Sequence, residues 1–173
     1  MKKIFYLFMI TTALVIGGCE GPEGPRGPQG PAGGNVEAEV FELINVDFSL
    51  NNNGEYTIFR NLNILDSDVV LIYRMAGTID AQTPIWQLLP RTLFLNEGEL
   101  DYDYDFSAED FTIYAGGTYN LALTPEYIND QVFRIVIIPG QFSDRPASVV
   151  DFSDYNAVIE AYNLQGKPVR QIN

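Results

Sequence analysis

The run VVLIYR, residues 69–74, sets the expected fold class of this chain. It is a continuous apolar stretch of strand length that follows the polar triplet Asp66-Ser67-Asp68. Such runs are typical of strands buried on both faces, whereas half-exposed strands alternate apolar and polar residues. We therefore predict that residues 69–74 form a central, well-buried β-strand.

The segments before this run carry strand and turn signals. VEAEVFELINVDFSL (36–50) has apolar residues at alternate positions from Ile44 to Phe48. It ends at NNNG (51–54), a turn cluster that accepts positive φ, and EYTIFRNLNIL (55–65) follows. Because two strand-like runs flank a turn, this region predicts a β-hairpin.

The segments after the run also look extended. IWQLLPRTLFL (85–95) contains Pro90, which has no N–H to donate to a sheet. We therefore predict an edge strand, a bulge or a split there. NEGE (96–99) predicts a turn into LDYDYDF (100–106), which alternates with a period of two.

Three later segments carry strand or turn signals: FTIYA (111–115) and TYNLAL (118–123) around the Gly116-Gly117 pair, TPEYIND (124–130), and QVFRIVIIPG (131–140). The first predicts a further hairpin. The second predicts a turn or one short helical turn, with Thr124 as its cap and Pro125 at its first position. The third predicts the last clear strand, which ends at Pro139.

The segment from about Ser153 to Leu164 has helical periodicity instead. Its recurring apolar residues are Phe152, Tyr155, Val158, Ile159 and Tyr162. Asp151 or Ser153 is the expected N-cap, and Gly166 is expected to end the helix. The whole pattern predicts a mostly β domain over residues 36–173: an antiparallel β-sandwich with one C-terminal α-helix, with a β-barrel as the alternative.

Composition limits the chemistry of the chain. It has 23 acidic against 10 basic residues, a net charge of −13, no histidine and one cysteine. Because affinity for nucleic acid depends on basic residues, we predict no nucleic-acid partner. Without histidine, the usual general base of serine and cysteine hydrolases and the commonest transition-metal ligand are missing. We predict a non-enzymatic protein with no catalytic residues and no metal site.

The N-terminal stretch MKKIFYLFMITTALVIGGC (1–19) resembles a bacterial lipoprotein signal peptide. Two lysines precede an apolar run (4–16) that is shorter than the roughly 20 residues needed to span a bilayer. IGGC (16–19) resembles the lipobox, which is cleaved just before its cysteine. The resemblance implies that residues 1–18 are removed and that Cys19 carries diacylglycerol and an N-acyl chain, which anchor the chain in a membrane.

Residues 19–35 combine this cysteine with a tether. GPEGPRGPQGPAG (21–33) contains four consecutive Gly-Pro-X triplets. Because proline fixes φ, the segment predicts a semi-rigid polyproline-II spacer of about 40 Å. The alternative is a collagen-like nucleus that joins three copies of the chain, since glycine at every third position is what a triple helix requires.

Lipobox, tether and acidic aromatic β-domain together resemble the small collagen-like lipoproteins of Gram-negative bacteria. The resemblance implies a cell-envelope protein, and Glu20 after the cysteine favours the outer membrane. Without the two lysines of residues 1–18, which contain no acids, 8 basic side chains face 23 acidic ones, a net charge of −15. Such a domain is repelled by an anionic membrane surface.

Two patterns are candidate sites in the domain. Asp101, Asp103 and Asp105 lie on one face of a predicted strand, about 7 Å apart, either as a solvated strand face or as a calcium site. Five aromatic residues form either core contacts or a platform for sugar rings: Trp86, Tyr102, Tyr104, Tyr114 and Tyr119. Asp144 and Arg145 are expected in a surface loop.

These observations leave two functions open. The first is a lipid-anchored envelope protein that displays an acidic β-sandwich for non-enzymatic binding or structural contact, with a glycan or an envelope protein as the partner. The alternative is a carbohydrate-binding or carboxylate-dependent glycan-active module, because 23 acids offer many possible catalytic pairs.

Overall fold

The apolar runs at 69–74 and 131–138 become neighbouring strands in the middle of a sheet. The computed structural model describes residues 37–140 and 150–172, and Asn35–Asn173 forms a unit of its own. Its strands are β1 (Glu39–Val46), β2 (Ser49–Leu50), β3 (Tyr56–Asn61), β4 (Val69–Asp80), β5 (Thr83–Leu88), β6 (Arg91–Phe94), β7 (Glu99–Phe106), β8 (Asp110–Gly117), β9 (Gln131–Ile138) and β10 (Arg170–Gln171).

The described strands form two separate five-stranded sheets. Sheet I has the order β10-β1-β9-β4-β5, and sheet II has the order β2-β3-β8-β7-β6. All neighbouring strands are antiparallel except β1 and β10. The prediction of a mostly β, antiparallel domain is confirmed. The barrel alternative required a single closed sheet, whereas each of these sheets has two edge strands.

One hydrophobic core is shared by facing sides of the two sheets. Sheet I contributes Leu43, Ile72, Phe133 and Ile135, and sheet II contributes Ile58, Leu100, Tyr102, Phe111 and Ile113. All of these side chains are almost fully buried. Burial of this apolar area between the sheets is the main favourable contribution to folding.

A second core lies on the other side of sheet I, where the α-helix α1 (Tyr155–Ala161) packs. Leu71, Tyr73 and Val136 of the sheet share this cluster with Val158 of the helix. Side chains alternate between the faces of a strand, so Val70 and Ile72 face sheet II while Leu71 and Tyr73 face the helix. The continuous apolar run is thus explained, and its prediction as a buried strand is confirmed.

The C-terminal helix is shorter than predicted. It begins after Asp154, whose Oδ1 accepts hydrogen bonds from the backbone N–H groups of Asn156 (2.9 Å) and Ala157 (3.3 Å). The predicted caps are wrong because Asp151 binds the Ser153 backbone and hydroxyl in a turn before the helix. Capping by Asp154 therefore moves the start of the helix two residues later.

The first predicted hairpin is only partly correct. Asn45 has a φ of 53°, and a bulge between Leu43 and Val46 leaves both packed against the shared core while Ile44 faces outward. The chain then leaves sheet I, and only the two residues of β2 pair with β3 around the NNNG turn. The predicted single strand is thus two strands in different sheets, because a bulge breaks the period of two.

Pro90 marks a second crossing between the sheets. It follows β5, the edge strand of sheet I, and precedes β6, the edge strand of sheet II, with a cis peptide bond from Leu89. The predicted split at this proline is confirmed, as is the turn between β6 and β7, where Leu95 and Gly98 exchange backbone hydrogen bonds.

The predicted hairpin after Gly116-Gly117 is wrong. Residues Leu121–Leu123 form a 3₁₀ turn, with the Asn120 side chain accepting the Ala122 N–H. The hairpin partner of β8 is β7 instead. A second 3₁₀ turn at Pro125–Tyr127 confirms the predicted helical turn, but Thr124 makes no side-chain cap there.

Candidate functional site

The outward side of sheet II, here called the open face, carries the predicted aspartate row. Asp101, Asp103 and Asp105 are exposed on it, while Leu100 and Tyr102 point into the core. The alternation predicted for this strand is confirmed. Phe59 and Phe94 are also on the open face and are 53% and 79% exposed, so this face contrasts with sheet I, whose outer side is covered by α1.

The aspartates of the open face bind neighbouring residues and not one another. Asp101 accepts a hydrogen bond from the Thr92 hydroxyl at 2.6 Å, and Asp105 accepts one from the Tyr114 hydroxyl at 3.0 Å. Among the described residues no group of three or more acids could hold a metal ion. The arrangement favours the solvated strand face over the calcium site, because calcium needs oxygens converging within about 2.6 Å.

The five aromatic residues of the sugar-platform hypothesis do not form one platform. Tyr102 and Tyr104 point into the core, where their hydroxyls donate to the carbonyls of Tyr127 (2.7 Å) and Val70 (2.9 Å). Burial raises the pKa of both phenols. The core interpretation is confirmed for these two residues.

Trp86 lies on the helix side of sheet I, so it is not on the sheet that carries the open face. Its ring is 5.7 Å from the Tyr155 ring, and the Arg134 guanidinium lies 4.3 Å from its centroid. Arg134 also binds the Glu42 carboxylate at 3.0 Å and the Tyr155 hydroxyl at 2.7 Å. Trp86 therefore belongs to the packing of α1, and its substitution tests stability, not ligand binding.

Tyr114 and Tyr119 line, together with Tyr56, a groove at one end of sheet II. This tyrosine groove has a volume of about 490 Å³, within the range of small-ligand sites. Its lining includes Glu55, Tyr56, Tyr114, Gly116, Gly117, Tyr119 and Asn120. Tyr56, which pairs with the buried Ala115, and Tyr119 pack against the core, whereas Tyr114 is on the open face, so the three rings do not share one surface.

Two adjacent glycines shape the groove in different ways. A Cβ on Gly116 would meet no atom within 4 Å, so its missing side chain leaves open space. A Cβ on Gly117 would lie 2.6 Å from the Glu99 carbonyl oxygen and 2.9 Å from Leu121 Cδ2. Gly117 is therefore required for close backbone packing. At Gly116 no contact forbids a side chain, so a larger residue there would occupy open space.

Several polar groups of the tyrosine groove have free hydrogen-bonding capacity. The Tyr56 hydroxyl and the Asn120 side-chain nitrogen bind no described residue, and Glu55 uses only one carboxylate oxygen, which accepts from Asn51 at 2.9 Å. Tyr114 and Tyr119 are held in place, since the Tyr119 and Thr124 hydroxyls are 2.6 Å apart. The groove therefore combines fixed rings with unused donors and acceptors.

A second groove, of about 500 Å³, lies beside β1 and β10. It differs from the tyrosine groove in how its polar groups are bonded. Its charged side chains are already paired: Glu37 with Lys167 at 2.8 Å, and Glu39 with Arg170 at 3.6 Å. Asp68 accepts the backbone N–H groups of Leu65 and Gly140. Because these groups are satisfied internally, the tyrosine groove is the better candidate site.

The sequence did not predict this groove. No pattern in the sequence singles out Tyr56, and the Gly116-Gly117 pair predicts a turn. A signal was present, because two glycines at the end of an alternating strand mark a place without side chains on either face.

Some of the predicted residues lie outside the described part of the chain: Cys19, the Gly-Pro-X segment 21–33, and Asp144 with Arg145.

Comparisons with known protein families, curated proteins and solved structures found no match for this chain. In the described ranges, no helix has the length and apolar character needed to cross a membrane. The candidate site therefore rests on its own geometry.

Proposed function

We propose that this chain is a lipid-anchored outer-membrane protein of the cell envelope that displays an acidic β-sandwich for non-enzymatic binding. The observation that carries the proposal is the IGGC sequence at residues 16–19, directly after a basic start and a short apolar run. Lipid chains on Cys19 contribute about 0.8 kcal/mol per buried CH₂, so several chains give a lasting anchor.

The tether and the charge support display away from the membrane. Residues 21–33 hold proline at every third position, which stiffens the spacer. A net charge of −15 after signal removal opposes contact with an anionic membrane surface. The open face and the tyrosine groove of sheet II are then available to a glycan or an envelope protein.

Replacing Cys19 with serine is expected to abolish lipid attachment, because the oxygen of serine does not substitute for the thioether-forming sulfur. The measurement is incorporation of labelled palmitate by cells that express the full chain, with and without globomycin. Gly34→Ser, a substitution in the tether, is the control and should leave labelling unchanged. Normal labelling of the Cys19→Ser variant would overturn the anchor.

Light scattering on the mature chain distinguishes the spacer from a triple helix. We expect a monomer both with residues 20–34 and after their deletion, because four triplets make few cross-chain bonds to offset the entropy of ordering three chains. A trimer that becomes a monomer on deletion would show instead that residues 21–33 join three copies.

Carbohydrate binding is the second candidate function, and the tyrosine groove favours it. Tyr114, which lies on the open face beside hydrogen-bonding groups that no described residue uses, suits a sugar ring, which has an apolar face and a polar edge. The groove supports binding over hydrolysis, because Glu55 is the one acid among its described lining residues and glycoside hydrolysis uses a pair.

A further inference from the structure

We infer that Arg74 and Arg91, here called the arginine pair, form a binding site for a singly charged carboxylate group between the edge strands β5 and β6. The inference goes beyond the proposed display of the domain, because it assigns a ligand chemistry to one place in the fold. It starts from a buried cation for which the described residues supply no acid.

Arg74 is the buried cation. On β4 it faces sheet II, as Val70 and Ile72 do, and it is only 8% exposed. No carboxylate of a described residue forms an ion pair with it, and the three ion pairs of the described ranges use other cations. The chain has 23 acidic residues, and buried charges are normally paired, so a buried arginine without an acid is unusual.

The contacts that Arg74 does make are with neutral groups. Its Nε donates to the Gln131 Oε1 atom at 2.8 Å, and its guanidinium carbon lies 4.8 Å from the centre of the Tyr102 ring and 5.7 Å from that of Tyr127. The Tyr102 hydroxyl is a further hydrogen-bonding partner. Most N–H donors of the guanidinium still have no described partner. They reach solvent, because the fully buried side-chain atoms without a partner among the described residues belong to two other side chains.

Arg91 brings a second cation to the same ring. It pairs directly with Tyr102 across β6 and β7, so its side chain lies on the same side of sheet II and begins about 5 Å from that of Tyr102. Arg91 is exposed and forms no ion pair or hydrogen bond with a described residue. An anion beside the Tyr102 ring is therefore attracted by two positive charges.

The arginine pair lies where the side of the sandwich is open. β5 and β6 are the edge strands of their sheets, and the chain crosses between them at the Leu89–Pro90 bond. Gln87 pairs with Arg74 and faces sheet II, and its side chain binds no described residue. Ile85, on the same side of β5, is 42% exposed. A ligand can therefore approach Arg74 between the two edges, where the Gln87 amide offers a further donor.

The chemistry of these groups selects a carboxylate. The planar guanidinium presents parallel N–H donors that match the two oxygens of a carboxylate. A phosphate group carries more negative charge, so the net charge of −15 of the chain without residues 1–18 repels it more strongly. The carboxylates of small organic acids and of uronate sugars share this chemistry, and the test separates them.

The test uses the full mature lipidated chain in detergent micelles and follows the NMR signals of the arginine side chains. Propionate and glucuronate are titrated against their neutral counterparts, propionamide and glucose, and against inorganic phosphate. We expect at least one carboxylate to bind and its neutral counterpart not to bind. Arg74→Gln should weaken binding about tenfold or more, because charge-assisted hydrogen bonds are lost. Arg91→Gln should weaken it about threefold, because exposed charges contribute less.

Arg170→Gln is the matched control, because Arg170 is an exposed arginine that pairs with Glu39. Weaker binding in both arginine-pair variants, with the control normal, supports the site. Binding of neither carboxylate, equal binding of a neutral counterpart, preference for phosphate, or unchanged affinity in Arg74→Gln would overturn it. If Arg74→Gln does not fold, Arg91→Gln decides, and unchanged affinity in that variant overturns the site. Palmitate labelling of Cys19 tests the anchor independently of all these results.

Discussion

Replacing Arg134 with alanine is expected to lower the free energy of unfolding by about 3 kcal/mol. The Arg134 Nε atom lies 3.0 Å from the Glu42 carboxylate, and the guanidinium is 4.3 Å from the Trp86 ring. The Arg134 and Glu42 side chains are only 21% and 17% exposed, so truncation leaves the Glu42 carboxylate without its cation in a site with little access to water. It also removes the donor to the Tyr155 hydroxyl and weakens the packing of α1 on sheet I.

Urea denaturation followed by tryptophan fluorescence is a suitable measurement, because Trp86 is the single tryptophan of the chain and lies in this contact. Arg170→Ala is the matched control. Its ion pair with Glu39 spans 3.6 Å on the surface, so its loss should cost less than about 1 kcal/mol. Equal destabilisation by the two substitutions would contradict the role assigned to Arg134.

The free energy of unfolding is expected to fall steeply above about pH 10. Burial raises the pKa of Tyr73, and the nearby Tyr155 adds to the shift. Burial also raises the pKa of Tyr102, although the Arg74 cation acts in the opposite direction. Below pH 10 these phenols are neutral in both states, so their contribution is complete. Above it the unfolded chain ionises while the folded phenols stay protonated, so stability is lost as pH rises toward the folded pKa.

Denaturation curves between about pH 8 and about pH 11 measure this loss. Lys167 is the only lysine after residue 18, so tyrosines provide nearly all the side chains that ordinarily titrate in this range. A Tyr73→Phe, Tyr102→Phe double variant should lose about 1 kcal/mol per hydrogen bond at neutral pH and show a flatter pH dependence. The same slope in this variant and in the original chain would assign the alkaline loss to other groups.

Local patterns predicted the parts of the fold that depend on local chemistry. Residues 69–74 were recognisable as a strand buried on both faces because nothing in the run is polar before Arg74. Pro90 was recognisable as a break because it lacks an N–H. The bulge at Asn45 was not, because a single residue with positive φ changes the direction of side chains without changing the apolar pattern.

The candidate site was harder to predict because it depends on long-range pairing. Tyr56 and Tyr114 are almost sixty residues apart in sequence, and they line one groove because β3 pairs with β8, with Tyr56 opposite Ala115 on the core side and Tyr114 opposite Thr57 on the open face. Trp86 is an aromatic residue in a strand-like segment, as the groove tyrosines Tyr56 and Tyr114 are, yet its side chain faces α1. Aromatic content predicts that such side chains will be buried or paired, and only the strand order determines which of them share a surface.

The parallel pairing of β1 with β10 puts the first and last strands of the described domain side by side in sheet I. Domain ends are where a folded chain opens first, and β10 contributes only two residues to the ladder. Fraying at either end therefore loosens an edge of sheet I. Sheet II is built only from internal segments, so fraying of the domain ends reaches it only through the hydrophobic core that the two sheets share.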